Sequence, residues 1–229
     1  MATPPRPGAP RPGGPRLGAP RPGGSRPAPR PVAPRRGAAL LQRAKNMLLQ
    51  PSAEWQVIAG EFTTVGAIYR GYVLPLAAIP AVCEIVGRAL WGITLPTIGT
   101  IHVSPMTALR GGIALYIGQL VVVQALALII DALAPTFGGT RNHVQAIKVA
   151  AYSSTASWVA GVFALVPGGQ WLELLGIYSL YLLYAGLPPL MKAPRDRAAG
   201  YAVFSIISAV VLYLVMRAIT MAFLPRGGG

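Results

Sequence analysis

The chain has 229 residues, of which 53% are hydrophobic and only 11% are charged. Soluble domains carry about 25% charged residues, so this composition excludes an ordinary soluble domain and predicts an integral membrane protein. The formal net charge of +14 is unevenly distributed, because residues 1–36 hold eight arginines and no acid. The single cysteine, Cys83, excludes an internal disulfide framework.

Residues 1–37 form a tail rich in arginine, proline and glycine, in which arginine recurs every fifth residue from Arg6 to Arg26. The tail has almost nothing to bury and cannot offset its ordering entropy, so we predict that it is disordered. Two interpretations stay open: a polybasic arm on anionic lipid, or a solvated tail that only sets topology. No aromatic residue is interleaved to stack on bases, so we expect no nucleic acid partner.

Residues 38–69 are predicted to form amphipathic interfacial helices. The pattern from Ala38 to Gln50 places apolar side chains on one helical face and polar ones mostly opposite. Pro51 ends this helix, and Ser52 can cap a second one. A basic amphipathic helix suits a membrane surface, and docking against the protein's own helix bundle is an equally good interpretation.

Residues 70–224 are predicted to be the membrane domain. The run from Gly112 to Ile130 has no charged side chain. It spans roughly 28 Å at about 1.5 Å per residue, enough to cross the hydrocarbon core. The fold class is therefore an all-α membrane protein, a five-helix transmembrane bundle preceded by an amphipathic helix and the basic tail. The predicted spans are 71–87, 112–133, 149–166, 171–187 and 200–223.

Five spans place the two termini on opposite sides of the membrane. With the N-terminus in the cytoplasm, the inner side receives the tail and most of the lysine and arginine residues of the loops. This asymmetry follows the positive-inside rule. We therefore expect a multi-pass protein of the bacterial inner membrane with a cytoplasmic N-terminus and its C-terminus on the opposite side.

The same orientation matches ionisable residues by depth in the membrane. Glu84 and Arg88 lie one helical turn apart near the outer end of the first span. By depth, Asp131 would pair with Lys148 at the inner end, and Glu173 with Arg217 at the outer end. Isolated charges there are costly, so we predict three ion pairs.

No pattern of catalytic or metal-ligating residues is recognisable in the chain. There is no HExxH, P-loop, GxSxG or GxGxxG pattern, so we expect neither an enzyme nor a cofactor or metal. The alternative to a structural role is a small transporter or channel. Its candidate polar path consists of Gln119, Gln124, Ser153 and Ser157, although the serines also suit close helix packing.

Five stretches occur in this order over residues 39–222: QRAKNMLLQPSAEWQVIAGE, YVLPLAAIP, IIDALAPTFGG, KVAAYSSTASWVAGVFALVPGG and IYSLYLLYAGLPPLM. In their order and spacing they resemble the Yip1-domain membrane proteins, in particular their bacterial branch. The resemblance implies a five-helix membrane domain with a cytoplasmic N-terminus. Eukaryotic relatives act in vesicle trafficking with Rab-type GTPases, but their DLYGP-like segment is reduced here to Asp131 and Pro135, so a GTPase partner is not expected.

These observations together predict a non-enzymatic membrane-organising or interaction scaffold of the Yip1 type. Its expected partners are the lipid bilayer, anionic lipid through the tail, and a membrane protein or a second copy of the chain. The segment after the second span has two interpretations. It is either a place where a partner or ligand binds, or simply the end of the helix. That segment contains Pro135, Phe137, Gly138 and Gly139.

Overall fold

The computed structural model describes residues 36–95 and 99–222, which are almost entirely helical. The predicted tail, apart from its last two residues, lies outside the described part of the chain. The α-helices are α1 (Arg36–Leu49), α2 (Pro51–Gly60), α3 (Val65–Ile68), α4 (Leu74–Trp91), α5 (Pro105–Leu133), α6 (His143–Ser153), α7 (Thr155–Ala160), α8 (Tyr178–Met191) and α9 (Arg195–Ala222).

Shorter elements connect these helices. A π-helical turn, Tyr69–Val73, joins α3 to α4, and 3-10 segments cover Ala134–Phe137, Gly161–Leu165 and Gly169–Ile177. The strands β1 (Ile93–Leu95) and β2 (Gly99–Ile101) pair antiparallel, with Ile93 opposite Ile101. The π turn precedes Pro75, which has no N–H to donate, so the wider turn lies where regular bonding is interrupted.

Four helical stretches are long and apolar enough to cross a membrane: Val65–Trp91, Pro105–Phe137, Trp171–Met191 and Asp196–Ile219. They overlap four of the predicted spans, and the helices that contain them extend beyond several of the predicted bounds. The second begins at Pro105 instead of residue 112, because the Ser104 side chain accepts a hydrogen bond from the N–H of Thr107 and caps α5.

The fourth span also differs from its predicted end. It was expected to stop before Pro188, yet α8 continues through Pro188 and Pro189 to Met191. Leu190 and Met191 are buried in the hydrophobic core. Their burial offsets the intrahelical hydrogen bonds that the two prolines remove.

The predicted third span, 149–166, is divided into shorter pieces and is not among the four candidates. The hydroxyls of Ser153 and Ser154 both donate to the carbonyl oxygen of Ala150, at 3.2 and 2.8 Å. Such bonds compete with regular helix geometry, and the helix breaks at Ser154 before α7. Beyond α7 the chain narrows to the 3-10 segment Gly161–Leu165.

Helix α6 lies at the centre of the core, with residues 146–153 all buried. Helices α1 and α2 dock on the membrane domain, where Met47, Trp55 and Ile58 are fully buried. The Trp55 ring lies against Gly186 of α8, and a Cβ at residue 186 would be 2.6 Å from Trp55 Cζ2. The N-terminal helices therefore pack on the bundle along this face, as one of the two interpretations of the sequence predicted.

Candidate functional site

A polar cluster connects α1 to the end of α2. The Arg43 guanidinium forms a bidentate pair with Glu61: Nη1 donates to Oε2 at 2.9 Å, and Nη2 donates to Oε1. Arg43 Nε lies 3.6 Å from Glu54 Oε1, and Asn46 Nδ2 donates to Glu54 Oε2 at 2.9 Å. Two parallel hydrogen bonds fix the relative orientation of the Arg43 and Glu61 side chains and make their pair stronger than a single hydrogen bond. The cluster therefore fixes the relative position of α1 and α2.

Lys148 of α6 completes this cluster from the other side. Its Nζ donates to the backbone carbonyl oxygens of Ile58 at 2.8 Å and Glu61 at 2.6 Å, and the residue is 1% exposed. These carbonyls lie at the C-terminal end of α2, where a cation complements the helix dipole. The charge of Glu61 attracts the ammonium group of Lys148, and the charge of Arg43 repels it.

The prediction of an ion pair between Asp131 and Lys148 is wrong. Lys148 is directed at the end of α2, whereas Asp131 Oδ2 lies 3.7 Å from Nε of Arg141. The other carboxylate oxygen of Asp131 is buried and forms no hydrogen bond with the described residues. Depth in the membrane placed both residues near one end of the bundle but did not determine which way each side chain faces.

The opposite end of the bundle holds the other charged candidates. Glu84 and Arg88 form the ion pair expected from their spacing of four residues on α4. Glu173 is within electrostatic reach of Glu84, Arg88 and Arg217. No ion pair between Glu173 and Arg217 is found among the described residues, so their relationship is proximity of charge and not a bonded contact.

The segment after α5 packs tightly against α9. The Phe137 ring stacks on Tyr201, with centroids 5.4 Å apart and planes 11° from parallel, and the Tyr201 hydroxyl donates to the carbonyl oxygen of Ile130 at 2.5 Å. Gly138 adopts a left-handed conformation with φ of 72°. A Cβ at Gly139 would lie 2.8 Å from the carbonyl oxygen of Met191. Pro135 is exposed at the surface of this segment.

Three of the four residues of the candidate polar path form hydrogen bonds, each with a different partner. Gln124 accepts a hydrogen bond from the Tyr69 hydroxyl at 3.2 Å, and its Nε2 lies 3.4 Å from His143 Nε2. Gln119 Oε1 is buried without a partner among the described residues. Ser153 bonds within α6, as described above. Ser157 Oγ donates to the carbonyl oxygen of Gly176 at 3.1 Å.

Sequence reasoning missed most of the cluster around Lys148, namely Arg43, Glu54 and Glu61. A usable signal was present, because the chain has only six acidic residues and two of them fall between residues 38 and 69. Glu54 and Glu61 are seven residues apart, close to two helical turns, which would have suggested a common face. Because α2 ends at Gly60, Glu61 lies just outside the helix, and helical periodicity alone does not relate Glu61 to Glu54.

Comparison with known proteins agrees with this architecture. The Yip1 domain family model matches residues 45–216. The chain is 26% identical over 175 residues to the inner membrane protein YohC of Escherichia coli strain K12, covering 75% of this chain and 90% of that protein. The protein of the same name from Escherichia coli O6:H1 matches to the same extent. No solved structure matches the chain. Because the family model covers more than half of its residues, the chain belongs to the Yip1 domain family.

Proposed function

We propose that the chain is a non-enzymatic, multi-pass protein of the cell inner membrane that acts as a membrane-organising or interaction scaffold. The observation that carries the proposal is the use of polar side chains, all of them buried or half-buried except Ser157. In the described part of the chain they join one element to the next instead of converging on one cavity. Such bonds are Arg43 to Glu61, Lys148 to Ile58, Tyr72 to Thr155, Ser157 to Gly176 and Tyr201 to Ile130.

A fifth crossing of the membrane is part of the proposal, and the path of residues 143–165 supports it. Near its start, Lys148 contacts Glu61, just before the candidate span Val65–Trp91 begins. At its end, the carbonyl oxygen of Leu165 accepts a hydrogen bond of 3.0 Å from Trp91 Nε1. Residues 143–165 therefore begin near one end of the candidate span Val65–Trp91 and end near its other end, as a fifth crossing would.

The surface that a scaffold would use is the outer face of α9. Asp196–Ile219 is the least buried of the four candidate spans. Its exposed side chains include Val203, Ile207 and Val211, which recur at helical spacing. In a membrane such a face contacts lipid, a membrane-protein partner or a second copy of the chain.

Photo-cross-linking in living cells tests the scaffold role. A photoreactive residue at Val203, Ile207 or Val211 is expected to give discrete protein adducts, whereas the same residue at Ala202, which is buried, gives none. Adducts of one or two defined masses support a partner or homo-oligomer on α9. Cross-links to lipid alone at all three exposed positions would contradict the interaction role.

The alternative, a small transporter or channel, draws on two observations. Gln119 Oε1 is buried without a partner in the described part of the chain, and Glu173 lies near charges of both signs. Proteoliposomes separate the two functions. The scaffold proposal expects their ion and small-solute leak to equal that of empty vesicles. A leak that requires the protein and falls on Gln119→Leu would favour transport.

The tail enters the proposal as a contact with anionic lipid. Residues 1–36 carry eight arginines, and each cation near an anionic surface is worth about 1 kcal/mol. Removing residues 1–36 is expected to reduce the amount of phosphatidylglycerol retained by the purified protein in native mass spectrometry. If the amount of retained phosphatidylglycerol is unchanged, the tail does not contact anionic lipid and only sets the topology.

A further inference from the structure

Three exposed cations surround the place where the loop after α5 meets the loop between α8 and α9. The side chains of Arg141 and Arg197 are 65% and 61% exposed, and Lys192 is exposed as well. Arg141 Nε is 3.7 Å from Asp131, and Arg197 Nε is 3.9 Å from Asp196. Neither arginine is held in a bidentate pair, so both can change partners readily.

The two loops are held together by backbone contacts. The N–H of Thr140 donates to the carbonyl oxygen of Met191 at 2.9 Å. A Cβ at Gly138 would meet Pro194 at 3.2 Å and Arg197 Cδ at 3.8 Å. This close approach fixes the distance between the segments that carry the three cations. The three cations therefore lie on two loops that are held at a fixed distance from each other. We call these two joined loops the platform.

Lys192 occupies a backbone conformation that glycine would adopt more easily. It ends α8 with φ of 53° and ψ of 35°, in the left-handed region. Glycine is the usual residue at this position of a helix end, because a Cβ is disfavoured there. No ion pair or hydrogen bond of the Lys192 side chain is found within the described residues. The residue in this left-handed conformation is therefore a lysine, and its exposed ammonium group is bonded to nothing in the described part of the chain.

The platform stands at the ends of apolar helical runs, and in a bilayer such ends reach the lipid headgroups. It joins the end of one candidate span, the end of another and the start of α9, so the three cations lie where the apolar runs stop. Arginine binds phosphate through its forked donors, and lysine binds it as a point charge. We infer that Arg141, Lys192 and Arg197 form a binding site for the phosphate-bearing headgroup of an anionic phospholipid.

The test uses the full-length protein in a neutral detergent. Its melting temperature is measured with added phosphatidylglycerol, with phosphatidylcholine, and with inorganic phosphate alone. Phosphatidylglycerol is expected to raise the melting temperature, and the other two additions are not. The triple variant Arg141→Gln, Lys192→Gln, Arg197→Gln should lose at least half of that rise. A matched triple variant, Lys45→Gln, Arg70→Gln, Arg110→Gln, removes the same charge elsewhere and should keep it.

Lys192→Gly separates lipid binding from stability. Without lipid this variant should melt at a higher temperature than the wild type, because glycine suits the left-handed conformation, yet its rise with phosphatidylglycerol should be smaller. The site is overturned if the first triple variant keeps the full rise, if both triple variants lose it equally, or if inorganic phosphate alone reproduces it. The scaffold role has its own test in cross-linking, so either proposal can fail without the other.

Discussion

Lys148 donates a hydrogen bond of 2.6 Å from its Nζ to the backbone carbonyl oxygen of Glu61. The lysine lies at the centre of the core, and the carbonyl belongs to the residue that follows α2. One buried cation therefore fastens the N-terminal helices to the membrane domain. The bidentate pair between Arg43 and the side chain of Glu61 continues the same connection to α1.

Lys148→Met should destabilise the protein by about 1–3 kcal/mol. It leaves the carbonyl oxygen of Glu61 without its donor, and it leaves that of Ile58 with only the hydrogen bond of 3.3 Å from the N–H of Glu61. Thermal unfolding in detergent, followed by tryptophan fluorescence, measures the change. Lys45→Met is the matched control, since Lys45 is exposed on α1. Equal melting temperatures for Lys148→Met and the wild type would show that this cap does not stabilise the fold.

A double-mutant cycle between Asp131→Asn and Lys148→Met should give a coupling energy below about 0.5 kcal/mol, as for residues without shared partners. The charges that act on Lys148 are those of Glu61 and Arg43, and Asp131 contacts Arg141 instead. The same cycle with Lys148→Met and Arg43→Met should give a larger coupling, because both residues meet at Glu61. A coupling above about 1 kcal/mol between Asp131 and Lys148 would restore the ion pair expected from the sequence.

Much of the membrane domain is predictable because the signal is local. The run from Gly112 to Ile130 has no charged side chain, and the helix that contains it is found as a candidate span. The pair of Glu84 with Arg88 also follows from helical spacing alone. Local composition and periodicity carry this information without any knowledge of how the helices pack.

Contacts between elements are what the sequence does not reveal. The direction of Lys148 depends on where α2 ends in space, and all of α3, α4 and α5 lie between the two along the chain. The break at Ser154 depends on hydroxyl bonds to Ala150 that compete with regular helix geometry. Arg43 and Glu61 are joined across the turn between α1 and α2, which periodicity cannot follow.

Gly186→Ala should destabilise the docked N-terminal helices by about 1–3 kcal/mol through overpacking. The new Cβ would lie 2.6 Å from Cζ2 and 2.8 Å from Cη2 of Trp55, whose ring is rigid and fully buried. Trp55→Phe in the same chain should recover part of the loss, because it removes the benzo ring that clashes.

The control for this packing test is Gly60→Ala, since a Cβ at residue 60 meets nothing within 4 Å. Thermal melting in detergent compares the variants. If Gly186→Ala melts like the wild type, or if Trp55→Phe gives no recovery, α2 does not rest on α8 as described.

The topology of five crossings is tested most directly by cysteine labelling with a membrane-impermeant maleimide. Cys83, the single cysteine, is first replaced by alanine, and one cysteine is then introduced at Thr140, Val166 or Gly228. In intact spheroplasts we predict labelling at residues 166 and 228, and at residue 140 only after the membrane is opened. Labelling of residue 228 only after opening, as for residue 140, would place both on one side, and the five-span account would be wrong.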